Sequence, residues 1–207
     1  MHFDILSENQ SELLPFIAKF RRSYYLVGGT AVALYIGHRR SIDFDLFSEK
    51  EIKKSFLKQK VFELPYRKHI IFDDVEQIHF FINEVRMTFF HYPYPVEHIN
   101  MLKNIISMPS LLALAAMKAY ALGRRAKWKD YIDLYFILKN YYSLEDIATE
   151  AKRIFGDLFS EKLFRKQIAF HKDIDYAEKI EFISGFEVMD QDVKDFLIDT
   201  SMQGILP

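Results

Sequence analysis

The sequence predicts an α+β fold in which strands and helices alternate in the first half and helices dominate the second. Half of the 207 residues are hydrophobic and 16% are aromatic, which is enough apolar surface for a substantial core. Short apolar runs, some with period-two alternation, lie before residue 95, whereas patterns of helical period lie after 110. We therefore divide the chain, as a prediction, into an α/β core over 1–100 and a helical region over 101–207.

Composition excludes several classes of protein. The 28 basic and 29 acidic residues give a formal net charge of −1, so any site for a polyanion must be a local patch. There is no cysteine, which excludes disulfides, thiol catalysis and thiolate metal sites. The sequence shows neither a basic-then-apolar leader nor an apolar run of membrane-spanning length. We therefore expect a soluble, cytoplasmic protein without a membrane partner.

The first elements are predicted to be a strand, a glycine turn, a helix and a second strand. An apolar run over 24–27 is followed by a Gly-Gly-Thr turn at 28–30 and by a short helix over 31–36. Gly37 is a suitable end for this helix, because glycine readily takes the left-handed conformation found there. Residues 41–47 alternate between polar and apolar, which predicts a strand.

The remaining elements follow from local periodicity and from signals at their ends. Asn83-Glu84 is predicted to be a hairpin turn, although it lacks the usual glycine. Ser143 and Asp146 resemble a capping box at the start of a helix, and residues 123–127 interrupt the helical pattern. The predicted elements are a helix over 51–60, strands over 69–72, 77–82 and 85–90, and helices over 111–122, 128–139, 144–154, 160–170 and 190–200.

Asp43 and Asp45 are the sharpest chemical feature. Residues two apart in a strand point to the same face, so both carboxylates would project together while Ile42, Phe44 and Leu46 face the other side. Neighbouring carboxylates repel unless they are solvated, protonated or bridged by a cation. Mg²⁺ commonly takes one or two carboxylates together with substrate phosphates. An isolated Asp-x-Asp is more often a solvated strand face, so both interpretations stay open at this point.

The Gly28-Gly29 turn could bind phosphate. Two glycines allow a close backbone approach, and the helix behind them would direct free N–H groups towards an anion. A glycine pair before a helix is more often a structural turn. However, this turn and the acidic pair flank one short helix, so both would lie at the same edge of the sheet. A nucleoside triphosphate with its metal ion could bridge them there.

Lys118, Asp130 and Asp133 form a third group. Lys118 lies inside an apolar run, where it is either an apolar stem with an exposed amine or a cation that balances charge on a transferring group. The two aspartates come early in the next predicted helix. There they could interact with the helix dipole, pair with a neighbouring arginine or orient Lys118.

Two sets of basic residues lie near these groups. Arg39 and Arg40 either hold a nucleotide or pair with carboxylates. The second set would suit the phosphate backbone of RNA, and is equally typical of an ordinary solvated loop. Its members are Arg124, Arg125, Lys127 and Lys129.

Two sequence blocks carry a family resemblance. The first comprises 26–31 and 37–47, and the second comprises Pro109, Met117-Lys118, Ala121, Arg124, Lys127 and 129–134. A β-rich segment joins the blocks and helices follow them, so the similarity covers most of the chain. In these blocks the sequence resembles the AbiEii/AbiGii-type nucleotidyltransferases of the DNA polymerase β-like, minimal nucleotidyltransferase superfamily.

The resemblance implies a nucleotidyltransferase-like mixed β-sheet core with a helical C-terminal region that completes the active site. Members of the family are often toxins of two-component toxin–antitoxin systems, and some resemble enzymes that add nucleotides to tRNA. The implied partners are therefore an NTP, tRNA or another RNA as acceptor, and an antitoxin protein. The implied site residues are Gly28, Gly29, Thr30 and Arg40 for the nucleotide, Asp43 and Asp45 for Mg²⁺, and Lys118 and Asp130 as catalytic lysine and acid, with Asp133 as a further acid.

One departure from the superfamily pattern leaves alternatives. A third metal-binding carboxylate usually lies on a later strand, and the corresponding strand here has Thr88 at that position. The protein is then either an enzyme that works with two metal carboxylates plus Asp130, or a degenerate fold that binds a nucleotide or partner without catalysis. A resistance enzyme that modifies a small hydroxylated molecule would share the metal site and need an enclosed acceptor pocket.

Overall fold

The computed structural model describes residues 1–122 and 124–203, so Gly123 of the predicted interruption lies outside the described residues. Seven strands are described: β1 Tyr25–Val27, β2 Phe44–Ser48, β3 Lys68–Asp74, β4 Gln77–Ile82, β5 Val85–His91, β6 Asn100–Leu102 and β7 Ile106–Met108. The α-helices of this part of the chain are α1 Glu8–Ile17, α2 Gly28–Ile36, α3 Lys54–Phe62, α4 Leu111–Leu122, α5 Trp128–Asn140, α6 Leu144–Phe155, α7 Glu161–Ala169 and α8 Asp190–Met202.

All seven strands belong to one mixed sheet with the order β3-β4-β5-β2-β1-β7-β6. Strand β2 lies at its centre, antiparallel to β1 and parallel to β5. This arrangement confirms the predicted α+β fold with a mixed sheet. Strands β6 and β7 were not predicted, because three residues are too few to show a period-two pattern. They place residues 100–108 in the same sheet as the earlier strands.

Several predicted ends are confirmed. Helix α2 ends at Ile36 and is followed by Gly37, whose φ of 77° is a left-handed conformation that glycine adopts without steric cost. Asn83 and Glu84 form the turn between β4 and β5 with φ of 51° and 64°, as the tight turns of hairpins require. Ser143 and Asp146 make both hydrogen bonds of the capping box that opens α6.

The strand that carries the acidic pair begins later than predicted. Strand β2 starts at Phe44, so Asp43 directly precedes it, and Ile42 is 61% exposed instead of facing the core. The buried Thr30 hydroxyl donates to the backbone carbonyl oxygen of Asp43 and lies 2.9 Å from the Ser41 hydroxyl. These contacts hold the segment before β2 against α2, away from the strand ladder.

Lys118 lies on helix α4, which runs through the interior of the molecule. Every residue of α4 except Leu112 and Ala121 is buried, because the helix packs against α2, α5, α6 and α7. A helix that is apolar on all sides is expected to be buried in this way. Lys118 is therefore held in a fixed place by its surroundings.

The segment between α7 and α8 crosses the same region of the molecule. We call residues 170–189 the strap. It forms no helix or strand of its own and is joined to the rest by two isolated bridges, Lys127 with Asp175 and Arg39 with Phe182. Among all described helices, none has the length and hydrophobicity needed to cross a bilayer.

Candidate active site

A cavity of about 610 Å³ lies between one face of the sheet and α4. The sheet side is formed by β2, β4 and β5, and the helix side by α4 and the residues that lead into α5. Gly28, Asp45 and Lys118 all line it, although they are far apart in the sequence. Its volume falls in the range of small-molecule and cofactor sites.

Part of the cavity wall is aromatic. The rings there form a continuous cluster in which each ring meets the next at a centroid distance of 4.8–5.5 Å. Tyr94 and Tyr120 also join their hydroxyl groups at 2.7 Å. The members that line the cavity are Phe47, Phe90, Tyr92, Tyr94 and Tyr120.

Gly28 lies directly against the carboxylate of Asp45. The two come together because β1 pairs with β2, with Val27 opposite Asp45. Gly28 has a φ of 75°, and a Cβ atom at this position would lie 2.1 Å from Asp45 Oδ2. Both the backbone conformation and the close approach therefore require glycine here. At Gly29 a Cβ atom would lie 2.5 Å from Arg39 Nη2.

Asp43 is surrounded by charge of both signs. Its carboxylate forms an ion pair with Arg86, and Lys129 Nζ lies 3.8 Å from Asp43 Oδ2. Burial raises the pKa of Asp43 and the Asp45 carboxylate adds to the effect, while Arg86 and Lys129 act in the opposite direction. Because the pKa remains raised, the acidic pair would gain from further positive charge.

The donor set of this pair fits Mg²⁺. Both side chains supply carboxylate oxygens, and Asp45 lines the cavity where substrate phosphates could complete the coordination. In the part of the chain that the structure describes, no three or more His, Asp or Glu side chains group together as a metal site. An ion bound at Asp43 would compete with the guanidinium of Arg86.

Thr88 lies directly beside Asp45. Strand β5 pairs Thr88 with Asp45 of β2 on one side and with His79 of β4 on the other. Arg86 lies two residues earlier on β5, so it shares the face of Thr88. Sequence reasoning missed Arg86, although its position in the alternating strand was a usable signal.

Lys118 forms a buried cluster with two carboxylates. Its Nζ atom lies 2.6 Å from Asp130 Oδ1 and 2.7 Å from Asp133 Oδ2, and the residue is 5% exposed. Burial by itself would lower the pKa of Lys118, but Asp130 and Asp133 raise it above its ordinary value. Lys118 is therefore a charged ammonium group at the cavity wall.

Asp133 is held in turn by two residues that follow α2. Arg39 donates to its two oxygens at 2.7 and 2.8 Å, and His38 Nε2 lies 2.7 Å from Oδ1. Burial would raise the pKa of Asp133, yet Arg39 and Lys118 keep it well below its usual value. Burial also lowers the pKa of His38, so the ring is neutral and Nε2–H donates to the carboxylate. The sequence places His38 in the first block but gives no sign of its contact with Asp133.

Three of the four predicted nucleotide-binding residues, Gly29, Thr30 and Arg40, lie apart from the cavity lining. Thr30 is buried beneath the Ser41–Asp43 segment and holds it in place. Arg40 pairs with Glu181 at 2.8 Å and donates to the backbone carbonyl oxygen of Asp4 at 3.3 Å. None of these three is among the described residues that line the cavity.

Each member of the second basic set has a partner within the chain. Arg124 lies 3.7 Å from the centre of the Tyr120 ring, and Arg125 Nε lies 3.2 Å from Asp130 Oδ2. Lys127 and Lys129 both pair with Glu178 of the strap. Burial would raise the pKa of Glu178, but the two lysines lower it to about 2. Glu178 is a further residue that sequence reasoning missed, because no local pattern links it to the lysines.

Comparison with known proteins places the chain in a family. The family model described as nucleotidyl transferase AbiEii toxin, type IV TA system, matches residues 16–200. The chain belongs to this family. The match includes both sequence blocks and confirms the resemblance that they indicated. The AbiEii family is one of nucleotidyltransferases, and this chain shares their fold.

Individual relatives are distant but cover most of the chain. An uncharacterized protein of Aquifex aeolicus, aq_aa25, is 26% identical over 93% of this chain and 98% of its own length. The nucleotidyltransferase toxin MenT4 from Mycobacterium tuberculosis has a TM-score of 0.62 at 13% identity, over 93% of this chain and 80% of that one. JHP933 from Helicobacter pylori has a TM-score of 0.58 at 19% identity, over 95% and 92%. These two structures show that the fold is shared.

Proposed function

We propose that this AbiEii-family protein transfers a nucleoside monophosphate from an NTP to an acceptor hydroxyl group, with tRNA as the favoured acceptor class, and that it acts as a toxin paired with an antitoxin. The observation that carries the proposal is the convergence of Gly28, Asp45 and Lys118 on one cavity of nucleotide size. A close backbone approach, a carboxylate and a buried cation are the groups that phosphoryl chemistry needs.

The triphosphate lies against the start of α2 at Gly28, where the absence of a side chain brings the backbone close to Asp45 at the cavity wall. The acceptor oxygen attacks the α-phosphorus in line, its proton is released, and the bond to the β-phosphate breaks with loss of pyrophosphate. Asp43 and Asp45 would hold Mg²⁺, which supplies Lewis acidity towards phosphate oxygens and favours ionisation of the acceptor hydroxyl.

Lys118 stabilises the negative charge that grows on the phosphoryl oxygens. Its ammonium group is charged and already in place, so little reorganisation accompanies the reaction. Asp130 and Asp133 act through Lys118, because both carboxylates contact its Nζ atom. The aromatic wall at Tyr92, Tyr94 and Tyr120 offers ring faces on which the nucleobase can stack.

The test is transfer of label from the α-phosphate of each NTP to total tRNA in the presence of Mg²⁺. We expect label in RNA with the unaltered protein and a loss of at least about 100-fold with Asp45→Asn, because one of the two carboxylates that would hold the metal ion is removed. Asp195→Asn, an exposed change on α8 with the same loss of charge, is the control. Labelling by Asp45→Asn at the unaltered rate would contradict the mechanism.

A second candidate function is binding of a nucleotide or partner without catalysis. Two observations favour it, namely Thr88 at the position beside Asp45 and the ion pair of Arg86 with Asp43. This alternative predicts nucleotide binding in a calorimeter and no release of pyrophosphate with any acceptor. Release of pyrophosphate with tRNA would exclude it.

A further inference from the structure

Lys127 and Lys129 converge on the carboxylate of a single glutamate in the strap. Lys127 Nζ lies 2.5 Å from Glu178 Oε1, and Lys129 Nζ forms an ion pair with Oε2 of the same side chain. Each oxygen of Glu178 thus has its own ammonium group. A phosphate group presents anionic oxygens in a similar way, and lysine binds phosphate as a compact point charge.

The two lysines lie beside the proposed reaction site. Lys127 lines the same cavity as Asp45 and Lys118. Lys129 Nζ is 3.8 Å from Asp43 Oδ2. A phosphate group bound between these lysines would therefore lie next to the acidic pair.

We propose that Lys127 and Lys129 form a phosphate-binding subsite at the edge of the active site, and that Glu178 of the strap occupies this subsite when no phosphate is bound. The proposal rests on the nucleotidyl transfer proposed above and adds to it a second anion position. The ligand chemistry is a phosphate group, carried either by the triphosphate or by the acceptor RNA.

The Glu178 side chain can move away from the two lysines without disturbing the backbone contacts that hold them in place. The backbone at Lys127 is paired with Asp175, and Trp128 donates its backbone N–H to the Asp175 carbonyl oxygen at 3.0 Å. On the other side of Glu178, the strap is fixed by the bridge between Phe182 and Arg39. The Glu178 side chain itself is 41% exposed. Movement of this side chain alone would open the subsite.

Removal of the Glu178 charge should therefore tighten phosphate binding. The test uses Glu178→Gln and two probes, inorganic tripolyphosphate and total tRNA, titrated in a calorimeter with EDTA present. We expect an affinity three- to tenfold higher, about the strength of a partly exposed ion pair. Glu187→Gln, an exposed glutamate of the strap that contacts the Gly185 backbone N–H, is the control and should change affinity less than about twofold.

Variants without the two lysines test whether the gain in affinity depends on them. Lys127→Gln with Lys129→Gln should weaken binding in the presence of Glu178 and should remove the gain when combined with Glu178→Gln. Thermal unfolding of each variant shows whether the fold is retained. If the gain persists without the two lysines, the subsite does not exist.

The two probes separate the sources of phosphate. If Glu178→Gln binds tripolyphosphate more tightly, the subsite belongs to the nucleotide. If it binds tRNA more tightly, and the salt dependence of tRNA binding weakens when the lysines are removed, the subsite belongs to the acceptor. No gain with either probe, or an equal gain with Glu187→Gln, overturns the proposal. The titrations contain EDTA and involve no metal-dependent transfer, so they test the subsite separately from the proposed function. If the affinity increases but the labelling assay never detects transfer of a nucleotide, the subsite stands and the proposed function fails.

Discussion

Asp43 meets two cationic side chains and is also influenced by one like charge. Arg86 pairs with it directly, Lys129 approaches to 3.8 Å, and Asp45 is the neighbouring carboxylate. The neighbouring strand β5 carries Thr88 and Arg86 beside the acidic pair and adds no carboxylate there. The acidic pair is therefore already partly neutralised by the chain itself.

Arg86 is expected to compete with a metal ion for Asp43. Replacement by methionine keeps the aliphatic length and removes the guanidinium, so Arg86→Met should tighten Mn²⁺ or Mg²⁺ binding about three- to tenfold in calorimetric titrations. Arg67→Met, a change of the same type at an exposed position before β3, is the control. Weaker metal binding by Arg86→Met would mean that Arg86 supports the site.

At the scale of elements, the start of α2 is shaped by its contact with β2. Residues 28–30, predicted as a turn before the helix, are the first turn of α2. Gly28 has positive φ and lies against Asp45, whereas Gly185 of the strap has a φ of 92° and open space around the position of a Cβ atom. These two glycines share the backbone requirement and differ in the contact. Alanine at each position therefore separates the two effects.

Gly28→Ala should reduce both stability and nucleotide binding. The left-handed backbone costs about 1–2 kcal/mol at either glycine, and at Gly28 the methyl group would also displace the Asp45 carboxylate. We expect Gly185→Ala to show only the backbone cost in chemical unfolding, and Gly28→Ala to show a larger loss together with at least about tenfold weaker nucleotide binding. Equal losses of stability with unchanged nucleotide binding would contradict this account of the turn.

Elements with local signals could be predicted, and elements set by long-range contacts could not. The glycine end of α2, the turn at Asn83-Glu84 and the capping box of α6 depend on neighbouring residues, and all three were predicted. The late start of β2 depends on the Thr30 hydroxyl across the helix. Strands β6 and β7 are recognised only through their pairing with each other and with β1.

At the scale of the whole molecule, the cavity joins three separate parts of the chain: the β1–α2–β2 unit, strands β4 and β5, and the α4–α5 pair. The strap lies beside it, where Glu178 contacts Lys127 and Lys129. Gly28, Asp45 and Lys118 could be predicted as site residues because they belong to two recognisable sequence blocks. Glu178 lies outside both blocks and meets them only in space, so it carries no pattern of its own. Its partner Lys127 is 51 residues away in the sequence. His38 lies inside the first block, but its contact with Asp133, 95 residues later, gives no local signal.

The molecule is expected to lose stability in mild acid. Burial lowers the pKa of His38 from its ordinary value of 6.5, and also lowers the pKa of His79 and His171. Below pH 6.5 these histidines are protonated more readily in the unfolded chain than in the folded chain. The free energy of unfolding therefore has its full value above this pH and falls as the pH decreases.

The thermal midpoint should therefore fall between pH 7.5 and pH 5.5, and the fall should be smaller for His38→Gln. His69→Gln, at an exposed position of β3, serves as the control and should keep the fall of the unaltered protein. The readout is the change with pH rather than the midpoint itself, because loss of the hydrogen bond to Asp133 also lowers stability at every pH. A fall as steep in His38→Gln as in the unaltered protein would contradict the account.

The most direct test is a crystal structure with Mg²⁺ and an NTP analogue that has a methylene group between the α- and β-phosphorus atoms. The account predicts the triphosphate in the cavity against Gly28, the metal ion between Asp43 and Asp45, Arg86 released from Asp43, and Lys118 facing the α-phosphate. It is contradicted if Arg86 stays on Asp43 with no metal ion there and the analogue binds elsewhere.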